Sequence, residues 1–287
     1  MTRRTFFFTA AAPAVAFPQQ SQPVTARQIV ERIRQQIGVP WREQTVDTFK
    51  AGNPDTPVTG IATTMMATYD VLQRAAASGH NFVITHEPTF YSHLDGTSAF
   101  EQAHDPVWAA KEKFIADHHM VVWRFHDHWH MRRPDGIMQG MARALGWQEY
   151  QNAQTPALFT VPKATVEQLA SGIKHRLNIR VLRVVGPRDL EVTRVALSPG
   201  AGGPAGHLNL LRRDDVEVLI IGEVPEWETI EYVADAAAEG KRKALILMGH
   251  IPSEQAGMDN CADWLKTFIK DVPIAFVAAA EPFWMPR

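Results

Sequence analysis

At 287 residues, with 45% hydrophobic and 21% charged side chains, the chain has ordinary globular composition and length for one large domain or two modest ones. Its net charge of −2 gives no basis for binding nucleic acid or an anionic membrane. The single cysteine, Cys261, excludes an intrachain disulfide framework and a cysteine-rich zinc ribbon, so any metal must be held by carboxylates and by some of the 12 histidines.

The first segment reads as an export signal. Arg3 and Arg4 precede the apolar Phe6, Phe7 and Phe8, no further charge follows until Arg27, and Ala14, Val15 and Ala16 offer a small-residue cleavage site. An arginine pair ahead of aromatic residues is of the twin-arginine type, which exports folded proteins, so the expected location is the periplasm or beyond. The apolar stretch is too short to span a bilayer, and no membrane contact is expected once the signal is removed. Residues 1–24 are therefore expected to be signal peptide and linker.

Thr25 then caps a helix over 26–37, stopped by Gly38. An extended segment at 47–51, a strand at 58–63 and a helix at 66–78 follow. Next come a strand at 82–85, a helix at 105–117, a strand at 120–125 and a helix at 135–145 ended by Gly146. This strand–helix alternation predicts βαβ units. A second set has strands at 158–161, 181–185, 192–197, 217–221 and 244–248, helices at 165–177, 229–239 and 252–269, and a last strand at 274–277. The expected fold is α/β. It has two lobes of similar topology with mostly parallel sheets, 25–152 and 153–287, and a metal site between them.

Three apolar runs end in histidine beside carboxylate. They close on His86 and Glu87, on His126, Asp127, His128 and His130, and on His250 and Glu254. Each run reads as a buried parallel strand, and open α/β sheets place their sites just past the carboxyl ends of strands. Histidine with carboxylate suits divalent zinc, iron or manganese. His86 and Glu87 are adjacent, so on an extended backbone they diverge and would feed different ions unless the alternation breaks. His250 and Glu254 straddle Pro252 at a helix start and are close enough to share an ion. His128 and His130 share one side if their segment stays extended. A lone histidine at a strand end is more often a hydrogen-bonded structural group than a ligand. Three clusters at three strand ends favour a metal centre, with one ion or two left open by the spacing.

At these residues the sequence resembles the NIF-three-like family of dinuclear-metal proteins, also labelled GTP cyclohydrolase type 2-like, over roughly residues 26–269. The family's strand followed by His-His-Pro and an aromatic is matched by Ile84, Thr85, His86, Glu87, Pro88, Thr89 and Phe90. Its His-Thr-Asn-Leu-Asp segment is matched by His126, Asp127, His128, Trp129 and His130, and its Gly-His-x-x-x-Glu by Gly249, His250 and Glu254. Ser198 to Gly203 and Ile221, Gly222 and Glu223 match its glycine loop and its Thr-Gly-Glu segment. Two positions depart. Glu87 stands where the family has histidine, and His130 where it has aspartate, so the set still holds three histidines and two carboxylates.

The resemblance implies a site for two divalent metal ions on His86, Glu87, His130, His250 and Glu254. It also implies a ring-shaped homo-oligomer, often a hexamer. The function expected is a metal-dependent hydrolase acting on a small polar substrate through a metal-bridging water, with Glu223 or Asp127 taking the proton. Asp127, His128 and Glu223 are equally candidates to orient metal-bound histidines. The alternative is a non-catalytic metal-binding or scaffold protein, and an open coordination position separates the two. The sequence does not choose a substrate.

Overall fold

The computed structural model describes residues 23–286 together with Met1; the arginine pair and cleavage site of the expected signal lie outside the described residues. Helix α1 (Ala26–Gln36) starts at Thr25, whose hydroxyl accepts from Gln28 N while the Gln28 side chain accepts from Thr25 N. This reciprocal cap satisfies two donors that a helix start leaves open. There follow β1 (Phe49–Ala51), β2 (Ile61–Thr64), α2 (Tyr69–Ala77), β3 (Phe82–Thr85), α3 (Ser98–Gln102), α4 (Pro106–Asp117) and β4 (Val121–Arg124). Two helices, α5 (Asp127–Met131) and α6 (Gly136–Leu145), close the first half. The second half runs β5 (Leu158–Thr165), α7 (Val166–Arg176), β6 (Arg183–Val185), β7 (Glu191–Ser198), α8 (Gly203–Leu211), β8 (Val218–Ile221), α9 (Glu231–Ala238), β9 (Ala244–Leu247), α10 (His250–Lys266) and β10 (Ile274–Phe276).

These strands form two sheets, ordered β1-β4-β3-β2-β10 and β5-β7-β8-β9-β6. Strands β2, β3 and β4 run parallel in succession, with β1 antiparallel beside β4. Strands β7, β8 and β9 repeat the pattern, with β6 antiparallel beside β9. The two lobes therefore share a topology: one strand, then three parallel strands, with the first returning beside the last. Every residue of β2, β3, β4, β8 and β9 is buried, which is why these segments read as continuous apolar runs. No helix among the described residues is long and apolar enough to cross a membrane.

The division expected near residue 152 does not coincide with the sheets. β10 pairs parallel with β2 and so belongs to the first sheet. Helix α10 carries the chain back by packing on α6, β2 and β10. Gly140 on α6 and Gly257 on α10 sit at that crossing. A Cβ on Gly140 would collide with the Ala256 carbonyl, and one on Gly257 with the backbone of Ile137. Bare backbone on both helices lets them approach closely.

An acidic latch in the second lobe gives a stability prediction. The Glu217 carboxylate accepts from the backbone N–H of Thr193 and Arg194 and from the guanidinium groups of Arg194 and Arg242. Burial pushes its pKa up, but these donors outweigh it and hold it at about 2, against an ordinary 4.5. A carboxylate depressed in the folded state adds stability above its unfolded pKa and loses it as pH falls through the folded value. The parent should therefore lose stability between about pH 4.5 and 2 more steeply than Glu217→Gln. Denaturant midpoints of both proteins across that window check this; parallel curves would contradict it.

Candidate metal centre

The three strand ends meet on one rim. β3 ends at Thr85, whose hydroxyl donates to the Glu87 carbonyl, and Pro88 follows. The extended alternation breaks there, so His86 and Glu87 both reach the same cluster instead of diverging. β9 ends at Leu247, and two residues on Gly249 takes a positive φ of 89° and starts α10 at once. One turn of that helix places the His250 Nε2 3.1 Å from Glu254 Oε2.

The segment after β4 is helical, which the sequence did not suggest. Asp47 makes it so from 80 residues upstream of Asp127. Its Oδ1 accepts the N–H of His126 and Asp127 and its Oδ2 that of His128, capping α5 from outside the segment. The turn separates His128 from His130. His128 is buried, stacked on Trp41 at 3.6 Å, with Nδ1 on Asp47 and Nε2 accepting from Arg42 N. Both ring nitrogens are spent, so His128 is structural and the side shared with His130 in an extended chain does not exist.

His126 and His130 face the rim instead. His86, His126 and His130 each offer a donor atom within 4.8 Å of one another, as do His86, Glu87 and Glu254. Separations sort these groups into two positions. His86 Nε2 lies 3.2 Å from His130 Nε2 and 3.7 Å from Glu254 Oε2, and His130 Nε2 is 3.9 Å from Glu254 Oε1. His250 Nε2 lies 3.4 Å from Glu87 Oε1, and His126 Nε2 lies 3.6 Å from that same oxygen. Donors each about 2.1 Å from a tetrahedral ion sit about 3.4 Å apart. His86, His130 and Glu254 would hold one ion. Glu87, His250 and His126 would hold the other, with Glu254 shared between them.

The hydrogen bonds behind the rings decide what the front can accept. His86 Nδ1 faces the Phe125 carbonyl at 3.1 Å, His130 Nδ1 faces Asp135, His126 Nδ1 faces Asp127 and His250 Nδ1 faces Glu223, the last three at 2.9 Å. Carbonyl and carboxylate oxygens only accept, so each Nδ1 carries a proton, and each Nε2 presents a lone pair whenever its ring is neutral. With neutral rings, four lone pairs would converge on two carboxylates, an arrangement that repels itself until a proton or a metal ion enters. The histidine–carboxylate pairing behind the donors is the usual support for metal-bound imidazole. Burial, with His130 and His126 adding to it, holds His86 well below the ordinary imidazole range. Burial also lowers His250, but Glu223, Glu254 and Glu87 together push it up to about 12. That demand for positive charge is met by a proton or by a divalent ion.

Glu87 has a partner that the sequence reading passed over. Arg124 is fully buried at the end of β4; its Nη2 donates to Glu87 Oε2 at 2.9 Å, its Nε to the His86 carbonyl and its Nη1 to the His93 carbonyl. One Glu87 oxygen is held by a guanidinium and the other is left for the cluster. The buried cation offsets the charge that glutamate brings where the resembling family has neutral histidine. An arginine inside an otherwise apolar strand was the available signal. His126 also reaches this rim, with Asp127 behind its ring and Glu87 Oε1 3.6 Å from its Nε2.

The two expected proton acceptors stand differently. Asp127 gives Oδ1 to His126, and Oδ2 accepts from Thr45 Oγ1 and Val46 N. Both oxygens are engaged, and the one on His126 Nδ1 orients that ring. Glu223 also orients a ring, but its side chain is 55% exposed and lines an open cavity of about 560 Å³ on the second lobe. Glu223→Ala should leave the fold intact and weaken metal binding by about 10–100-fold, as competition with a chelator would measure. An unchanged affinity would contradict the assignment of His250 as a supported ligand.

The family model for Duf34/NIF3 (NGG1p interacting factor 3) matches residues 22–282. None of the curated proteins matches the chain. Among solved structures, protein SA1388 of Staphylococcus aureus superposes with a TM-score of 0.71 at 17% identity, covering 92% of this chain and all of that one. The Bacillus cereus protein related to NIF3 gives 0.71 at 14%, covering 93% of this chain and 100% of that one. Reduced HcgD from Methanocaldococcus jannaschii gives 0.60 at 14%, over 88% and 98% of the two chains. At these identities the likeness is one of fold.

Proposed function

The chain belongs to the Duf34/NIF3 family, and on that premise we propose that this metal-binding protein is a hydrolase acting on a small polar substrate. The observation that carries the proposal is the convergence of four imidazole Nε2 atoms on Glu87 and Glu254, with every Nδ1 engaged behind. Two divalent ions there would activate a water and stabilise developing negative charge.

The chain's own groups support the rest. A cavity of about 360 Å³ opens beside Glu87 and His250, flanked by Tyr69 and Tyr91, which gives a substrate room at the centre. Glu223 holds the His250 ring and is open to solvent on its other side, so it is the proton acceptor. The His250 hydrogen bond keeps the Glu223 carboxyl below the usual range, so it is ionised and ready near neutral pH. Export through the arginine-pair signal belongs to the same proposal; a reporter fused after residue 24 that stayed in the cytoplasm would contradict it.

The test uses Glu223→Gln. Its amide oxygen still accepts from His250, so metal content should hold, while hydrolysis of a panel of phosphoesters and amides should fall by about 10²–10⁴-fold. A metal-loaded parent that hydrolyses nothing in the panel would contradict the hydrolase and favour a binding or scaffold role.

A further inference from the structure

The cavity beside Glu87 and His250 has a second wall that the proton chemistry does not use. Lys111, on α4, reaches into it and is 3% exposed. Its Nζ donates to the Thr89 carbonyl at 2.5 Å, which leaves two of its three N–H groups to be placed. Thr89, in the same wall, is 1% exposed and its hydroxyl has no hydrogen-bond partner among the described residues. Thr68 and Ser92 bring further hydroxyls to the lining: Thr68 Oγ1 accepts from Val71 N and keeps its proton to donate, while Ser92 Oγ accepts from Gly96 N and makes only a long 3.5 Å contact to the Gly96 carbonyl that an anion could displace.

The charges around this wall do not balance. Asp95 is buried with Lys50 at 3.6 Å and Arg124 at 4.0 Å, and its Oδ1 is taken by the N–H of Thr89 and Phe90. Arg124 also pairs with Glu87, the carboxylate that the metal centre claims. Three cations with buried side chains, Lys50, Lys111 and Arg124, therefore face Asp95 and part of Glu87, with Asp47 adding its charge only at Lys50. Lys111 itself contacts the rings of Phe90 and Tyr91 and a carbonyl, and no carboxylate lies within salt-bridge distance of it among the described residues. Burying a cation without an anion is costly, and a bound anion removes the cost.

We propose that this cavity binds a tetrahedral oxyanion, the phosphoryl group of the substrate, on Lys111 and the hydroxyls of Thr89, Thr68 and Ser92, next to the metal ligands Glu87 and His250. The inference rests on the hydrolase reading and narrows its substrate to a phosphorylated small molecule. The donors are a point-charge ammonium and hydroxyls set at different directions. They suit an anion with acceptors on several sides, whereas a planar carboxylate is better matched by a guanidinium fork. Burial lowers the Lys111 pKa to about 8, so the ammonium is still largely charged at neutral pH. Tyr69 and Tyr91 are exposed at the mouth, where they would pack against the organic part of the substrate.

The experiment is calorimetric titration of the full, metal-free protein with inorganic phosphate, beside acetate. The parent should bind phosphate, and bind acetate at least about tenfold more weakly. Lys111→Met should lose at least about tenfold in phosphate affinity. Thr89→Val breaks no existing side-chain hydrogen bond, so it folds even if the lysine variant does not, and it should lose about fivefold. No phosphate binding by the metal-free parent, equal binding by parent and both variants, or acetate bound as tightly as phosphate would overturn the site. Metal uptake is measured on the same samples. Phosphate binding without metal uptake upholds this site and overturns the hydrolase; full metal uptake without phosphate binding overturns this site alone.

Discussion

Glu254→Gln is expected to empty both metal positions while the protein stays folded. Glu254 is buried one turn into α10, and its two oxygens lie 3.1 Å from His250, 3.7 Å from His86 and 3.9 Å from His130. Among the described residues it is the one carboxylate within 4.0 Å of ring nitrogens of both groups. Glutamine keeps the shape but removes the charge and turns an N–H₂ toward imidazole lone pairs that would otherwise face an ion. Each position should lose at least about a hundredfold in affinity, beyond the 10–100-fold typical of supporting residues. After dialysis, elemental mass spectrometry should fall from about two equivalents of metal to well under one. The metal-free variant should be as stable as the metal-free parent or more so, because a buried charge is gone. Retention of both ions would sink the shared role of Glu254.

The second large effect is structural and reaches the centre indirectly. Gly257→Val should destabilise the protein by about 3 kcal/mol, at the upper end of overpacking costs. For a chain of this size that is a fall in Tm of about 6–12 °C. The new side chain would run into the backbone and side chain of Ile137 at the crossing of α6 and α10. α10 carries His250 and Glu254, and Asp135, which caps α6, also holds His130 Nδ1. Separating the helices pulls Glu254 away from His130, so metal content should fall together with stability. Gly172→Ala is the control. A Cβ there meets nothing within 4 Å, and the position lies inside α7, so it should gain about 0.5–1 kcal/mol. Thermal unfolding and metal analysis of both variants check the contrast; equal effects would contradict a tight crossing.

What the sequence made legible follows the range of the forces involved. The strands over 82–85 and 244–248 and the helices over 26–37 and 165–177 are written locally, in apolar runs and in the caps at Thr25 and Thr165, and the structure has them. The histidines and carboxylates at three strand ends were legible for the same reason, since parallel strands carry their chemistry at one edge. What was not legible depends on distant partners. α5 exists because Asp47 accepts three of its N–H groups, and nothing between residues 126 and 131 announces that. The same turn sends His128 against Trp41 and His126 to the rim. The return of β10 to the first sheet is decided by its pairing with β2, more than two hundred residues earlier. The expected helix at 229 begins instead with a wide turn over Glu226–Ile230 and continues as α9, a boundary that local propensity does not fix.

The most direct measurement is anomalous diffraction at the metal absorption edge from crystals of the metal-loaded protein. Two peaks should appear about 3.5–4 Å apart, one among His86, His130 and Glu254 and the other among Glu87, His126, His250 and Glu254. No peak at this rim after metal loading, or a peak held by other residues, would contradict the centre on which the functional reading stands.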